Sequence, residues 1–361
     1  MTSAHPAGDV RIFHKECVSL ASAGYEVYLV QRGESGENNG VHIVGVGEIP
    51  ESRRKRMTEG ARRVYEAALA LDCDIYHLHD PELLPYGRKL KKHGKTVIFD
   101  SHEDTADSIM EKDYIPMPVR KMISGAYSRF ERSVCEEIDA VVTVTPSQTE
   151  YFEKINPTTV EVRNYPILSG SYIEPSFGKK AIAFAGGISA QWNHHVIIKA
   201  LEKLEDCSYV LFGSPNPYLE SLKSLPGWSK VDYRGRIPYK EVALGLSECM
   251  IGAALLAPGR NTAWKRGTMG NTKIFEEMMA GLPIVCTDFD LWKEFVDRYE
   301  CGICIDPTNE DELVEAVRTL SNDPEKARKY GLNGRRAVIN EFNWSVAEEK
   351  LLGLYAMLCN G

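Results

Sequence analysis

The sequence predicts an α/β protein of two doubly wound domains, each built on a parallel sheet. Strand-like apolar runs alternate with helical patterns between Glu26 and Val144, and a second series of the same kind begins at Ala181. Such alternation is typical of parallel sheets covered by helices on both faces. The segment Asn164–Gly178 between the two series is rich in Pro, Gly and Ser, which indicates a hinge. We therefore expect domains at 1–165 and 179–343, with ligands bound in a cleft at the carboxyl ends of the strands.

Length and composition agree with this division and restrict the class of protein. A chain of 361 residues exceeds one typical core, and its 43% apolar and 26% charged residues are ordinary for a soluble globular protein. The net charge of −8 argues against a general nucleic-acid-binding protein. No apolar run approaches the roughly 20 residues of a membrane-spanning helix, and no signal peptide is visible. The nine cysteines are an odd number without secretory context, which favours reduced thiols, so we expect a cytoplasmic location.

The first domain has an unusual beginning. Only Met1–Ala4 precedes His5 and a helix that is predicted to start near Asp9, which leaves little room for the usual central strand. Either the start of the chain is wrongly assigned, or the domain lacks most of that strand and leaves backbone groups unpaired. The remaining predicted strands of this domain are Glu26–Val30, Val41–Val46, Asp74–Leu78, Thr96–Phe99 and Ala140–Val144.

The most informative stretch of the second domain is Gly267–Val285, which predicts a glycine-containing loop, a short helix and a buried strand. Asn271 or Thr272 can cap the helix through a side-chain oxygen. A helix start of this kind can bind an anion. Lys273 stands in the first turn and Glu276 follows one turn later. Together they predict a nucleotide diphosphate site, with Lys273 at the phosphates and Glu276 at the ribose hydroxyls.

Four patches in order resemble glycosyltransferase family 4, the retaining two-domain (GT-B) enzymes that use nucleotide-sugars. The resemblance covers essentially the whole chain and is strongest to bacterial members of capsule, O-antigen and exopolysaccharide assembly. Its residues are Asp9–Glu16, His77–Leu83 with Phe99–Asp104, Val162–Pro166, and Gly267–Val285 with Phe289–Glu294 and Cys301–Pro307.

The resemblance implies roles for individual residues. Glu276 matches the second glutamate of the family's Glu-x7-Glu motif, which binds the nucleotide ribose, and His102 matches a histidine close to the transferred sugar. Gly186 and Gly187 match the glycine turn whose amides approach the diphosphate. The last helix, about 344–361, is expected to cross back onto the first domain, as it does in this fold.

The chain departs from the family pattern at two places. Thr268 stands where the first motif glutamate would contact the donor sugar, so Thr268 and Gly270 are the residues expected there. No Arg/Lys pair follows the glycine turn, so Lys273, with Arg266 and Lys265 behind it, is expected to meet the diphosphate charge. The Asp288-x-Asp290 sequence is expected to be an ordinary turn, because GT-B enzymes generally work without a bound metal. We predict no metal and no cofactor.

Acceptor and membrane contacts are expected in the first domain. Arg11, Asp80 and Glu103 are candidate acceptor ligands. His77 and His79 are expected on opposite faces of their strand. The basic stretches Arg53–Arg63 and Arg88–Lys95 fit either an anionic membrane surface or solvated helix faces.

These expectations add up to a retaining hexosyltransferase that moves a sugar, with UDP-sugar as the expected donor, to a glycan or lipid-linked acceptor in polysaccharide biosynthesis. A nucleotide-sugar 2-epimerase on the same fold is one alternative. A catalytically degenerate binding or partner subunit is another, because the basic pair and the first glutamate are missing.

Overall fold

A computed structural model describes residues 1–49, 52–112, 114–168 and 172–360. The chain forms two compact units, Met1–Asn164 with the final stretch from Trp344 onward, and Tyr165–Asn343. Each unit has its own sheets and its own buried core. No helix in the described ranges is long and apolar enough to cross a membrane.

The first unit contains two sheets, ordered β1-β3-β2 and β4-β5-β6-β7. Apart from the antiparallel pairing of β2 with β3, which the sequence did not predict, neighbouring strands run parallel. The strands are β1 (Val27–Gln31), β2 (Gly36–Asn38), β3 (Val41–Gly45), β4 (Ile75–Leu78), β5 (Thr96–Ser101), β6 (Ala140–Thr143) and β7 (Thr159–Glu161).

The first helix of this unit is π-helical over Val10–Cys17 and continues as α1 (Val18–Ser22); its N-cap is Asp9, whose carboxylate accepts from two backbone amides. A second continuous run consists of α2 (Arg53–Lys55), π-helical Arg56–Gly60 and α3 (Ala61–Leu69). The other helices are α4 (Leu84–Lys92), after a 3-10 turn at Pro81–Leu83, α5 (Thr105–Met110), α6 (Met117–Cys135), α7 (Pro146–Phe152) and, from the chain's end, α15 (Trp344–Asn360).

The first residues of the chain lie between the two sheets of the first unit. Thr2 N donates to Val30 O of β1 at 3.0 Å, and His79 N donates to Met1 O at 3.2 Å. The Met1 ammonium also donates to His77 O of β4 at 2.7 Å. These few residues therefore occupy the place of a central strand, so the gap that the sequence suggested is bridged.

The second unit has a single parallel sheet of order β10-β9-β8-β11-β12-β13. The strand that comes first in the unit is thus central, and the order reverses between β8 and β11. Ligands of doubly wound sheets bind at the carboxyl ends of the strands beside such a reversal. The strands are β8 (Ala181–Ala185), β9 (Ser208–Phe212), β10 (Val231–Gly235), β11 (Ile251–Ala254), β12 (Ile284–Thr287) and β13 (Gly302–Ile305).

Helices cover both faces of this sheet, which buries apolar side chains on each side. They are α8 (His194–Ala200), α9 (Pro217–Leu222), α10 (Tyr239–Ser247), α11 (Lys273–Met279), α12 (Asp290–Tyr299), α13 (Glu310–Ser321) and α14 (Pro324–Asn340). Short 3-10 turns lie at Ala190–Trp192, Leu201–Lys203, Pro226–Lys230, Arg260–Thr262 and Trp264–Arg266.

Candidate functional site

The glycine turn of the second unit lies at the reversal of strand order. Gly186 directly follows the central strand β8, and its amide donates to Phe212 O at the end of β9, 3.1 Å away. Gly213 follows β9, and a Cβ at that position would lie 2.4 Å from Gly186 O. The two strand ends therefore approach so closely that only glycine fits at 213. This second glycine was not singled out from the sequence, although it stands directly after the apolar run Tyr209–Phe212.

Lys273 crosses this turn. A Cβ added to Gly186 would lie 2.5 Å from Lys273 Cε and 3.2 Å from its Nζ, so the lysine side chain occupies the space that any side chain at 186 would need. Lys273 Nζ also donates to Glu276 Oε2 at 2.8 Å, and both side chains are one-fifth exposed. The structure therefore brings three predicted nucleotide residues into one cluster. Gly187 is next to them and exposed, with open space beside its Cα.

The loop before α11 is held by a set of local hydrogen bonds. Asn271 Oδ1 accepts from Lys273 N at 2.9 Å, whereas Thr272 has helical backbone angles and no side-chain cap, so the predicted cap is Asn271. Thr268 Oγ1 accepts from Gly270 N at 3.1 Å. Thr268 O accepts from the indole Nε1 of the fully buried Trp292 at 2.6 Å. Trp292 thus anchors the predicted donor-sugar segment to α12.

The remaining basic residues of this loop are exposed. Lys265 pairs with Asp288, which also pairs with Lys293 at 3.1 Å. Partial burial would raise the pKa of Asp288, but the two lysines outweigh it and lower that pKa. Asp290 begins α12. The Asp-x-Asp sequence therefore has one carboxylate in an ion-pair cluster and one at a helix start. Arg266 of the same loop is exposed.

A buried carboxyl, Glu277, lies next to the predicted ribose ligand along α11. Neither of its oxygens has a hydrogen-bond partner among the described residues, and it packs against the Cα of Gly252 in β11. Burial raises the pKa of Glu277 well above its ordinary value, against a lowering influence from Lys273. An unpaired carboxylate is costly in such a place, so Glu277 is held as a neutral acid. Sequence reasoning did not separate it from Glu276.

In the first unit, the polar side chains at the carboxyl ends of β4 and β5 converge on Asp100. Arg11 donates to both Asp100 oxygens, with Nη2 3.0 Å from Oδ2 and 3.1 Å from Oδ1. His102 Nε2 lies 3.0 Å and His79 Nδ1 3.4 Å from the same Oδ2. Burial alone would raise the pKa of Asp100, but Arg11 and the imidazoles hold it well below its usual value. Asp100 is therefore an ionised carboxylate that organises its neighbours.

Glu16 completes this cluster in a different state. Arg11 Nε lies 2.9 Å from Glu16 Oε1, yet neither carboxyl oxygen has an aligned hydrogen-bond donor among the described residues. Burial, followed by the nearby Asp100, raises the pKa of Glu16 well above its ordinary value. The cluster thus contains one neutral carboxyl and one carboxylate, the usual outcome when two such groups share a buried site.

The same cluster offers a set of metal-type ligands. Glu16, His77, His79 and Asp100 each have a ligand atom within 4.8 Å of the others. However, Asp100 Oδ2 already accepts from Arg11 and faces two imidazoles. A divalent ion would have to displace these donors, so the chemistry of this set favours the guanidinium as its positive charge.

The expectation that His77 and His79 point to opposite faces is wrong. Residues two apart on a strand share a face, and their rings stack with centroids 4.6 Å apart. His77 Nδ1 lies 3.0 Å from the hydroxyl of Tyr355 in α15.

The predicted acceptor residues lie in different environments. Arg11 is 5% exposed and its guanidinium is used inside the unit, where Nη1 also donates to Val162 O at 2.9 Å. Asp80 is buried and its Oδ2 accepts from Thr2 Oγ1 and the backbone of Ser3. Glu103 is exposed, and His102 is partly exposed beside it. The structure therefore places Arg11 and Asp80 as internal supports, and contact with an acceptor stays a prediction for all three.

About half of the described basic side chains in the two stretches pair with acids. Arg56 binds Glu82 at 3.1 Å, and Lys91 binds Asp139 at 2.7 Å. Further pairs are Arg62–Glu66, Arg63–Glu59, Arg88–Glu137 and Lys95–Asp72. The start of α6 differs, because large apolar side chains are exposed there. They are Tyr114, Met117, Val119, Met122 and Ile123.

Comparison with known proteins finds a glycosyltransferase family model in each unit. The family model "Glycosyltransferase Family 4" matches residues 8–163, and the model "Glycosyl transferases group 1" matches residues 174–337. The chain is 46% identical over 86 residues to the alpha-maltose-1-phosphate synthase of Mycolicibacterium smegmatis, which is 22% of each chain. It is 31% identical over 81 residues to the MMP alpha-(1->4)-mannosyltransferase of Mycolicibacterium hassiacum, 22% of this chain and 20% of that one. The chain thus matches about a fifth of the length of these curated relatives.

Solved structures resemble the chain over nearly its full length. Sucrose-phosphate synthase from Thermosynechococcus elongatus superposes with a TM-score of 0.76 at 17% identity, covering 95% of this chain and 92% of that one. HepE from Anabaena, in complex with UDP and glucose, gives 0.70 at 13% identity, with 94% of each chain covered. WaaG, a glycosyltransferase involved in lipopolysaccharide biosynthesis, gives 0.68 at 15% identity, with 97% of each covered. The predicted fold class is therefore confirmed.

Proposed function

The chain belongs to the glycosyltransferases of the GT-B fold, and we propose that it is a retaining hexosyltransferase that uses a nucleotide-sugar donor. The proposed donor is a UDP-sugar, and the proposed acceptor is a glycan or lipid-linked glycan of bacterial polysaccharide biosynthesis. HepE, a structural neighbour, was solved with UDP and glucose, which motivates the choice of base.

The cluster of Gly186, Lys273 and Glu276 carries this proposal. It lies where the strand order of the second unit reverses, which is the ligand position of doubly wound sheets. An open glycine turn lets a diphosphate approach the backbone, while the adjacent ammonium supplies positive charge. Glu276, already held by Lys273, can accept from the two ribose hydroxyls. We infer that the phosphates take over Lys273 when nucleotide binds.

In the proposed reaction, the leaving diphosphate gains negative charge as the bond to the sugar breaks. Lys273 and the backbone amide of Gly187 stabilise that charge, with Arg266 as a second cation, because the Gly186 amide already donates to Phe212 O. Such preorganised electrostatics is the largest single contribution in many enzymes. No metal or other cofactor is needed in this scheme. The donor phosphate accepts the proton of the attacking hydroxyl, which comes from the same face as the leaving group, so the anomeric configuration is retained.

The first unit is proposed to bind the acceptor, and His102 is its proposed sugar contact. In the second unit, Thr268 and Gly270 are the proposed donor-sugar ligands. His102 is the partly exposed member of the Asp100 cluster, so its side chain can contact a ligand. No nucleic acid is expected as a partner, given the net charge of −8.

We also propose that the protein docks on the anionic inner face of the cell membrane. The exposed apolar start of α6 adds to the basic stretches considered above, and apolar anchors with nearby cations are typical of peripheral membrane binding. Met122, 67% exposed, is the test position, and Met357, 51% exposed on α15, is its matched control. The Met122→Asp variant should pellet less with anionic liposomes than Met357→Asp. Equal pelleting of both variants and the wild-type protein would contradict membrane docking through the start of α6.

The activity itself is tested by screening nucleotide-sugars for a rise in melting temperature, because a ligand that binds only the folded state stabilises it. The best donor is then incubated with glycan acceptors and followed by proton NMR. We expect a new glycosidic bond of the same anomeric configuration as the donor. An inverted product would refute the retaining mechanism. Epimerisation without acceptor would identify an epimerase, and absence of any nucleotide binding would identify a partner subunit.

A further inference from the structure

We propose that Asp100 is a positioning residue that fixes the tautomer of His102, so that Nδ1 of His102 is presented as an acceptor for a sugar hydroxyl. This inference rests on the proposed function, in which the His102 side chain contacts a sugar. Beyond the proposed function, the inference gives Asp100 a role without direct contact to the ligand. It also fixes the direction of the hydrogen bond, which runs from a sugar hydroxyl to Nδ1 of His102. A substrate with a free hydroxyl at that nitrogen is therefore selected.

The first step of the inference concerns which ring nitrogen carries the proton. His102 Nε2 lies 3.0 Å from Asp100 Oδ2, a carboxylate oxygen in the interior of the unit. A lone pair on Nε2 would face an anion at this distance, whereas an N–H would make a charge-assisted hydrogen bond. The neutral ring therefore has its proton on Nε2, and the bond made by one ring nitrogen determines the state of the other.

The second step concerns the remaining nitrogen. His102 Nδ1 makes no hydrogen bond with any described residue, and the side chain is 15% exposed. In the Nε2–H tautomer, Nδ1 has a lone pair and no proton. It can therefore accept from a hydroxyl and rejects a ligand group that can only accept.

The third step explains why Asp100 keeps its orientation. Arg11 binds both of its oxygens, and Arg11 is itself fixed by Val162 O. His79 Nδ1 is directed at the same Oδ2 from 3.4 Å and lies 3.3 Å from His102 Nε2. Burial lowers the pKa of His79 to about 3, so this second imidazole is neutral and adds no competing charge. Asp100 is thus locked by three side chains, and His102 is the one that reaches the surface.

The tautomer can be read directly, without any activity. In protein labelled with ¹⁵N-histidine, two-bond ¹⁵N–¹H correlations distinguish the two tautomers, and the His102 signals are those lost in His102→Asn. We expect the Nε2–H tautomer in the unchanged protein. Observation of the Nδ1–H tautomer overturns the inference, whatever reaction the protein catalyses. Failure of the proposed sugar transfer would leave this spectrum unchanged, so the two failures are distinguishable.

A double-mutant cycle tests the consequence for turnover. Asp100→Asn should lower kcat on the order of 10–100-fold, the range known for groups that orient metal-bound imidazoles. In the His102→Asn background, the amide oxygen stands near the place of Nδ1 and needs no tautomer control. In this background, Asp100→Asn should lower kcat by less than about threefold.

The control is Asp139→Asn. Asp139 also bonds to β5, where it accepts from Val97 N at 2.7 Å, and it pairs with Lys91, but it has no histidine partner among the described residues. This variant should lose thermal stability and keep its kcat. An equal loss of kcat from Asp100→Asn in both backgrounds, or a similar loss from Asp139→Asn, would show a merely structural role and overturn the inference.

Discussion

Replacement of Gly186 by alanine tests how the nucleotide cluster works. The new Cβ would lie 2.5 Å from Lys273 Cε and 3.1 Å from its Cδ. These atoms belong to a flexible side chain, so the lysine moves away while the backbone stays in place. Gly186 has no positive φ, so alanine fits its conformation, and the lower entropy of the unfolded chain offsets part of the crowding. We therefore expect a nearly unchanged melting temperature.

Nucleotide affinity should fall, because the moved lysine no longer meets the diphosphate. A hydrogen bond to a charged group contributes roughly 1.5–3 kcal/mol. At about 1.4 kcal/mol for each factor of ten, UDP should bind roughly 10–100-fold more weakly. Isothermal titration calorimetry with UDP measures this directly. Gly178→Ala is the matched control, since a Cβ at this exposed glycine meets nothing within 4 Å. In a Lys273→Met background, Gly186→Ala should have little further effect; full affinity of Gly186→Ala for UDP would refute the role of Lys273.

Further predictions concern Glu277, Trp292 and Glu276. The pKa of Glu277 is raised above its ordinary value of 4.5 when the protein folds. Protonated Glu277 therefore contributes fully to the free energy of unfolding below pH 4.5, and this contribution is lost as the pH rises toward the folded pKa. Glutamine cannot ionise, so calorimetry should show that the melting temperature of Glu277→Gln rises relative to that of the wild-type protein between pH 5 and pH 9. A difference in melting temperature that does not change with pH would contradict a buried neutral acid. Trp292→Phe removes the 2.6 Å hydrogen bond from the indole to Thr268 O. KM for the nucleotide-sugar should therefore rise more than Kd for UDP. Equal changes in the two constants would show that Thr268 is remote from the sugar. Glu276→Gln should weaken uridine binding as well as UDP binding, whereas Lys273→Met should weaken UDP only, as calorimetry with both ligands can decide.

The fold could be predicted because the periodicity of apolar residues is a local signal. The second series of strands begins at Ala181 as expected, the strand expected at the end of Gly267–Val285 is β12, and the parallel order follows from the alternation with helices. The short hairpin strand Gly36–Asn38 was missed because it is exposed and has no apolar pattern. The bridging role of Met1–Ser3 was also missed, since backbone hydrogen bonds of two or three residues leave no trace in the sequence.

The candidate site was predictable only in part. Loop, helix and glycine signals placed Lys273 and Glu276 on one helix turn, where the structure shows them bonded. Lys273 packs across Gly186, which is 87 positions away in the sequence. The spacing of residues along the chain does not reveal such a contact. Asp100 stands two residues before His102, and residues two apart at a strand end can face the same side. That signal was present but was not used, and the convergence of Arg11 on Asp100 needed the tertiary structure.

The most direct test of the central claim is UDP release from a UDP-sugar by the unchanged protein and by Glu276→Ala, measured with the preferred acceptor. The claim is that the loop and helix from Gly267 to Met279 form the nucleotide site of a glycosyltransferase. We predict acceptor-dependent UDP release by the unchanged protein and a loss of at least about tenfold in kcat/KM for Glu276→Ala, as removal of a charged hydrogen-bond acceptor implies. Turnover that persists unchanged in Glu276→Ala would contradict the claim.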